Sequence, residues 1–283
     1  MILFHELNIG TGNSGGGVRP CPRCLRSAST GQAAATEPIR LQALAPRIEE
    51  LAAAGASVML RGFEPFQHPD LVGIIQTLAM ATGEVPLAVG TTENSAASVT
   101  TNSTPTTKIR RIGMRTDGAA LANLRDAQGC IDNGVRVFEI PFLPREMDAL
   151  SQTAPLEASF AGIRGIRSAS AALGVAVFIC ADITICMHTA KYFTTTVQAV
   201  IAAGVDAIRL SCGGGCDRGH NESSNEPTDP AELLGGKTVL NQAHSLATQN
   251  SLAFFGDGCE DYLGGASLYE VINETAGTAG EKR

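Results

Sequence analysis

Two pairs of cysteines stand at spacings that bring thiolates together: Cys21 and Cys24 as CxxC, and Cys212 and Cys216 as CxxxC. Thiolates three positions apart can turn onto one metal ion or one face of a cluster, or act as a redox dithiol. Either pair needs further ligands from elsewhere to complete a metal site. Cys130 and Cys180 lie within helix and strand patterns and read as small buried hydrophobes. Eight cysteines in 283 residues, with no export signal, point to free thiols rather than a disulfide framework.

Acidic and basic residues form the second chemical set. Leu60-Arg61-Gly62-Phe63-Glu64-Pro65 reads as a strand end, a turn and an acid, with His68-Pro69-Asp70 shortly after. Alone, Glu64 is an ordinary loop carboxylate. Glu139 shares a strand face with Val135 and Val137, Arg209 shares one with Ala207 and Ser211, and Asp182 falls at a strand end. A charge inside a buried parallel sheet is costly unless paired or lining a cavity. A structural ion pair is therefore the plain reading, and a ligand-binding cavity the functional one. Gly10, Gly12 and Gly15 formally match a dinucleotide-binding fingerprint. No helix is expected to start there, because glycines and two prolines follow, so the pyrophosphate would lack its helix N-terminus.

The elements that must position these residues recur with a helix–glycine–strand period at Gly55, Gly134, Gly174 and Gly204. Strands are expected at Ile2–Leu7, Ser57–Leu60, Val85–Val89, Val135–Ile140, Val175–Ile179 and Val205–Leu210. Helical spacing precedes or follows each. Such alternation implies parallel βα units, whose strands require long crossovers. Periodicity alone fits an open barrel or a doubly wound sheet. In either, sites gather at the C-terminal ends of the strands. That puts the two cysteine pairs, Cys186 and His188 on one rim. Asn94–Thr107 is a Ser/Thr/Asn-rich insertion, and Gly213–Gly236 a glycine-rich and then acidic loop. The expected organisation is a core over residues 1–212, followed by a loop and helical extension over 213–283 that is not a separate domain.

The order of strand, cysteine motif, helix and a Gly-Gly-Glu-Pro-like turn with His-Pro-Asp resembles the radical SAM superfamily. The nearest branch is the one that matures peptides and cofactors and carries SPASM or twitch extensions. The resemblance spans roughly residues 2 to 212 and is most specific over Val58–Ile75. Gly256–Val271 loosely resembles the close of those extensions. It implies a partial, open six-stranded TIM-like (β/α)6 barrel. It also implies a 4Fe–4S cluster and S-adenosylmethionine, with a 5′-deoxyadenosyl radical acting on a small-molecule or peptide substrate. Cys21 and Cys24 match the second and third cluster ligands, while Gly17 stands where the first belongs. Cys212 and Cys216 are candidates for a rescuing ligand or, with the first pair, for a zinc site. Gly62, Phe63, Glu64 and Pro65 match the turn that meets the methionine ammonium, with Phe63 replacing a glycine. Glu139, Asp182 and Arg209 are further cofactor-binding candidates. The alternatives are a cluster-free binding protein on the same fold and a zinc-stabilised α/β domain.

Composition narrows partners and location. Hydrophobic residues at 44% and charged ones at 17% suit a globular protein with a real core. A net charge of −7 gives no nucleic-acid footprint. No run approaches the roughly 18 apolar residues of a membrane span, and the first residues, MILFHELNIGTG, lack the pattern of a signal peptide. The expected location is the cytoplasm.

Overall fold

The computed structural model describes residues 4–10, 37–61, 64–82, 111–142, 154–185, 190–212, 234 and 237–256. Seven strands form one sheet in sequence order: β1 Phe4–Asn8, β2 Ser57–Arg61, β3 Ile112–Arg115, β4 Val135–Phe142, β5 Phe178–Ile185, β6 Ala207–Cys212 and β7 Ala253–Gly256. Every neighbouring pair is parallel. Among the described residues six α-helices alternate with them: α1 Leu41–Ala53, α2 Leu71–Thr82, α3 Leu124–Asp132, α4 Ala154–Leu173, α5 Phe193–Ala202 and α6 Lys237–Gln249. Parallel crossovers are right-handed, so strands laid down in strict order send every helix to the same face. No reversal of strand order occurs, which rejects the doubly wound sheet and leaves an open barrel.

The two sheet faces differ accordingly. Val58, Leu60, Ile112, Met114, Phe138, Ile140, Ile179, Ile183, Ile208 and Leu210 join the helices in the main core. The alternate residues form the inner face, which no helix among the described residues covers. There a small apolar floor of Met59, Val137, Cys180 and Ala207 gives way to charged residues towards the strand ends. Strands buried on both faces read as nearly continuous apolar runs, which is why the βα period was legible.

The four glycines of the helix–glycine–strand pattern all have positive φ, at 63°, 97°, 64° and 83°. A side chain there would crowd the following carbonyl, so glycine ends these helices at little cost.

The six-strand expectation needs an addition and a shift. The neighbour of β2 is Ile112–Arg115, with Val58 opposite Ile112, and not Val85–Val89, which lies outside the described residues. The short run Ile-Gly-Met-Arg carries too little periodicity to announce itself. The stretch after Cys212 contributes α6 and β7, so the sheet continues past the expected core. That helix ends through Ser251, which among the described residues is the non-glycine with positive φ (59°), in the place where glycine marks the other units. β5 runs to Ile185, six residues beyond the expected end. The insertion 94–107 and the loop 213–236, apart from Leu234, lie outside the described residues. Among the described residues no helix is long and apolar enough to cross a membrane.

Candidate functional site

The ends of β2 and β3 are joined through Glu64. Its Oε1 accepts hydrogen bonds from Thr116 Oγ1 at 2.6 Å and Phe66 N at 3.4 Å, and its Oε2 accepts one from Asp117 N at 3.0 Å. Glu64 thereby caps the short 3-10 turn Pro65–Gln67, which opens on the buried Pro65. Behind this joint stands α4. Ser159 Oγ donates to Asp117 O at 2.9 Å. A Cβ at Gly162 or Gly165 would overlap the carbonyls of Gly118 and Leu121. Small residues at these two positions let the helix press the turn after β3 against the turn after β2.

Burial pushes the Glu64 carboxyl above the ordinary carboxylate range, opposed by the Thr116 and Asp117 hydrogen bonds and assisted by the Asp117 charge. Among the described residues no cation pairs with it. Among the described residues, three donors fill three of about four acceptor positions on the carboxylate, and the fourth can take an incoming N–H. His68 and Asp70 turn the other way. His68 Nδ1 accepts from Asp70 N at 3.1 Å, and its Nε2 donates to Ile39 O at 3.0 Å. Asp70 Oδ2 accepts from Leu41 N at 3.1 Å, satisfying an orphan amide at the start of α1. Their role is to hold helix and loop together.

A charged layer crosses the inner face of the barrel. Glu139 is fully buried and meets three arginines. Arg61 Nη2 lies 2.7 Å from its Oε2, Arg115 Nη1 contacts Oε1, and Arg209 Nη1 is 3.3 Å from Oε1. Arg115 Nη1 also lies 2.7 Å from Asp182 Oδ2, and Ser211 Oγ donates to Asp182 Oδ1 at 2.9 Å. Thr184 and Ser211 hydroxyls pair at 3.0 Å. Arg61 reaches outward to Glu6 at 2.6 Å. Burial pulls the Arg61 guanidinium down, but the Glu139 and Glu6 carboxylates outweigh it and raise its pKa. Cys180, beneath this layer, is held well above the usual thiol range by burial, then by the Glu139 and Asp182 charges.

The structure therefore brings Glu139, Asp182 and Arg209 together and sets Glu64 at the neighbouring strand ends. It adds Arg61, Arg115 and Thr116, which the sequence reading passed over. Arg115 was hidden with its strand. Arg61 had a signal, since it shares the alternation of Ser57 and Met59. Cys212 is the last residue of β6, opposite Ile185. Gly17, Cys21, Cys24, Gly62, Phe63, Cys186, His188 and Cys216 lie outside the described residues. Among those described, no three His, Cys, Asp or Glu gather to hold a metal. The donor set of the resembled family is three thiolates, whereas this chain has Cys21, Cys24 and Gly17. These residues do not complete a three-cysteine site.

No family model and no curated protein matches the chain. Solved structures do. SuiB of Streptococcus suis, bound to its precursor peptide SuiA, matches with a TM-score of 0.50 and 11% identity over 79% of this chain and 44% of SuiB. The radical S-adenosylmethionine methyltransferase TsrM of Kitasatospora setae, with cobalamin and a 4Fe–4S cluster bound, matches with 0.47 and 11% over 74% and 36%. Methylornithine synthase PylB follows with 0.40 and 9% over 78% and 63%. The chain spans less than half the length of SuiB and TsrM. The likeness to SuiB bears on the fold alone, an open sheet of parallel βα units laid down in sequence order.

Proposed function

We propose that this chain is a radical SAM-type protein that binds S-adenosylmethionine at the C-terminal rim of the barrel, with a small-molecule or peptide substrate facing the charged interior. The supporting observation is Glu64, a largely buried carboxylate that pairs with no cation among the described residues and keeps an acceptor position open. A methionine ammonium placed there would supply the missing counter-charge. Arg209 and Asp182 stand deeper on the inner face, on the side a bound ligand would meet. That SuiB is bound to a precursor peptide is compatible with a peptide substrate here.

When bound, a 4Fe–4S cluster supplies the electron that cleaves S-adenosylmethionine in this family. Cys21 and Cys24 would provide two of its three thiolates, and radical turnover needs a third ligand that Gly17 withholds. The proposal therefore rests on ligand binding. The same glycine favours a second reading, a cluster-free binding protein on this fold.

Calorimetry with S-adenosylmethionine on anaerobic protein, beside iron, sulfide and zinc analysis, separates the readings. The expected result is weak, saturable binding that Glu64→Gln lowers about tenfold, the worth of a charge-assisted hydrogen bond, with the variant's circular dichroism unchanged. No heat of binding, with or without iron, would leave the cluster-free reading. Stoichiometric zinc without iron would favour the zinc-stabilised domain.

A further inference from the structure

Arg61 and Arg115 are the last residues of β2 and β3, one position beyond the paired Leu60 and Met114. They stand side by side on neighbouring parallel strands at the end where parallel α/β folds bind ligands. Leu60 and Met114 belong to the helix-facing core, so the alternation directs both guanidiniums to the inner face. Their side chains are only 11% and 6% exposed. Both guanidiniums reach the same Glu139 carboxylate, so two like charges share one acid in a nearly dry layer.

Their partners do not use the whole of either guanidinium. Arg61 gives Nη1 to Glu6 and Nη2 to Glu139. Arg115 meets both Glu139 and Asp182 through Nη1. Among the described residues, Nε is buried without an acceptor in both arginines. A buried donor left unpaired carries its full desolvation penalty. Glu6, the outer partner of Arg61, has a side chain that is 51% exposed and holds its guanidinium less firmly than the buried Glu139 does.

We propose that the inner rim beside Arg61 and Arg115 binds an oxyanion of the substrate, a carboxylate or a phosphate, drawn by the two guanidiniums whose Nε groups have no acceptor among the described residues. An oxyanion accepts two parallel N–H bonds from one guanidinium edge, which an ammonium cannot donate in that geometry. Seated there, it would relieve the repulsion between the two arginines and satisfy their Nε groups. This rests on the reading of the barrel rim as a ligand site, and names the chemistry of the substrate.

The test is calorimetric titration of the full chain with sodium acetate and with sodium phosphate at constant ionic strength, using sodium chloride as control. Saturable binding of at least one anion is expected, and the preferred one tells a carboxylate from a phosphorylated ligand. Arg61→Lys keeps the charge but loses the fork, and should weaken binding about tenfold. Glu6→Gln, at a half-exposed position that folding tolerates, should strengthen it roughly threefold or more by removing a competing carboxylate. A chloride-like, unsaturable response, or no change in Glu6→Gln, overturns the proposal. Displacement of the anion by S-adenosylmethionine also overturns it, by making this the cofactor's own carboxylate site. Failure to bind S-adenosylmethionine, with anion binding intact, would instead sink only the cofactor reading above.

Discussion

Thr116 Oγ1 donates to Glu64 Oε1 at 2.6 Å, and this bond fastens the turn after β2 to the turn after β3. Because Thr116 N also donates to Glu139 O at 3.1 Å, the same residue links the rim joint to the strand that carries the charged layer.

The joint makes stability depend on pH. Burial holds the folded Glu64 carboxyl above its ordinary value, so the folded state takes up the proton more readily than the unfolded one. Its contribution is fully present below the unfolded pKa and is lost as pH rises through the raised folded value. The Thr116 hydroxyl favours the ionised form. Thr116→Val should therefore raise the Glu64 pKa further and, where Glu64 is ionised, cost about 1.5–3 kcal/mol, the worth of a hydrogen bond to a charged group. The loss should shrink once Glu64 is protonated. Urea denaturation of both proteins across the acidic to neutral range measures this, and a pH-independent difference would contradict it.

The charged layer should be sensitive to its central acid. Glu139→Gln keeps the shape but leaves Arg61, Arg115 and Arg209 facing a neutral amide. Breaking a buried pair from one side costs about 3–5 kcal/mol, and a drop of that size is expected in chemical denaturation. A cost below about 1 kcal/mol, the level of a solvated pair, would mean that water reaches the layer freely.

The packing of α4 against the turn after β3 has no room for a methyl group. Gly162→Ala forces its Cβ into the Gly118 carbonyl and should destabilise by roughly 1–3 kcal/mol or more. Gly129 in α3 is the matched control, because a Cβ there meets nothing within 4 Å. Gly129→Ala should stabilise by roughly 0.5–1 kcal/mol through helix propensity alone. Opposite signs in urea midpoints are the expected outcome.

Ser251 holds the left-handed position that glycine takes in the earlier units. Its φ of 59° costs an L side chain roughly 1–2 kcal/mol, partly offset by the greater freedom of glycine in the unfolded chain. Ser251→Gly should therefore raise the melting temperature modestly. A fall would show that the serine side chain makes a contact worth more than the strain.

Legible in the sequence were the parallel βα architecture, the helix ends at Gly55, Gly134, Gly174 and Gly204, and the strand faces that Glu139 shares with Val137 and Arg209 with Ala207. All of these are local: a left-handed residue closes its own helix, and strand alternation is a property of one segment. Resemblance in the turn around Gly62, Glu64 and Pro65 was enough to anticipate the open barrel over the doubly wound sheet. Where the local marker was replaced, as by Ser251 before β7, or the run was too short, as in Ile112–Arg115, a strand of the sheet was not legible. Which charges meet was decided only by the tertiary structure. Glu139 finds Arg61, Arg115 and Arg209 across separations of 78, 24 and 70 residues. Parity says which face a side chain takes, but the register between strands decides its neighbour. Register is set by how every helix packs behind the sheet, down to Gly162 and Gly165 admitting α4 against the turn that holds Glu64.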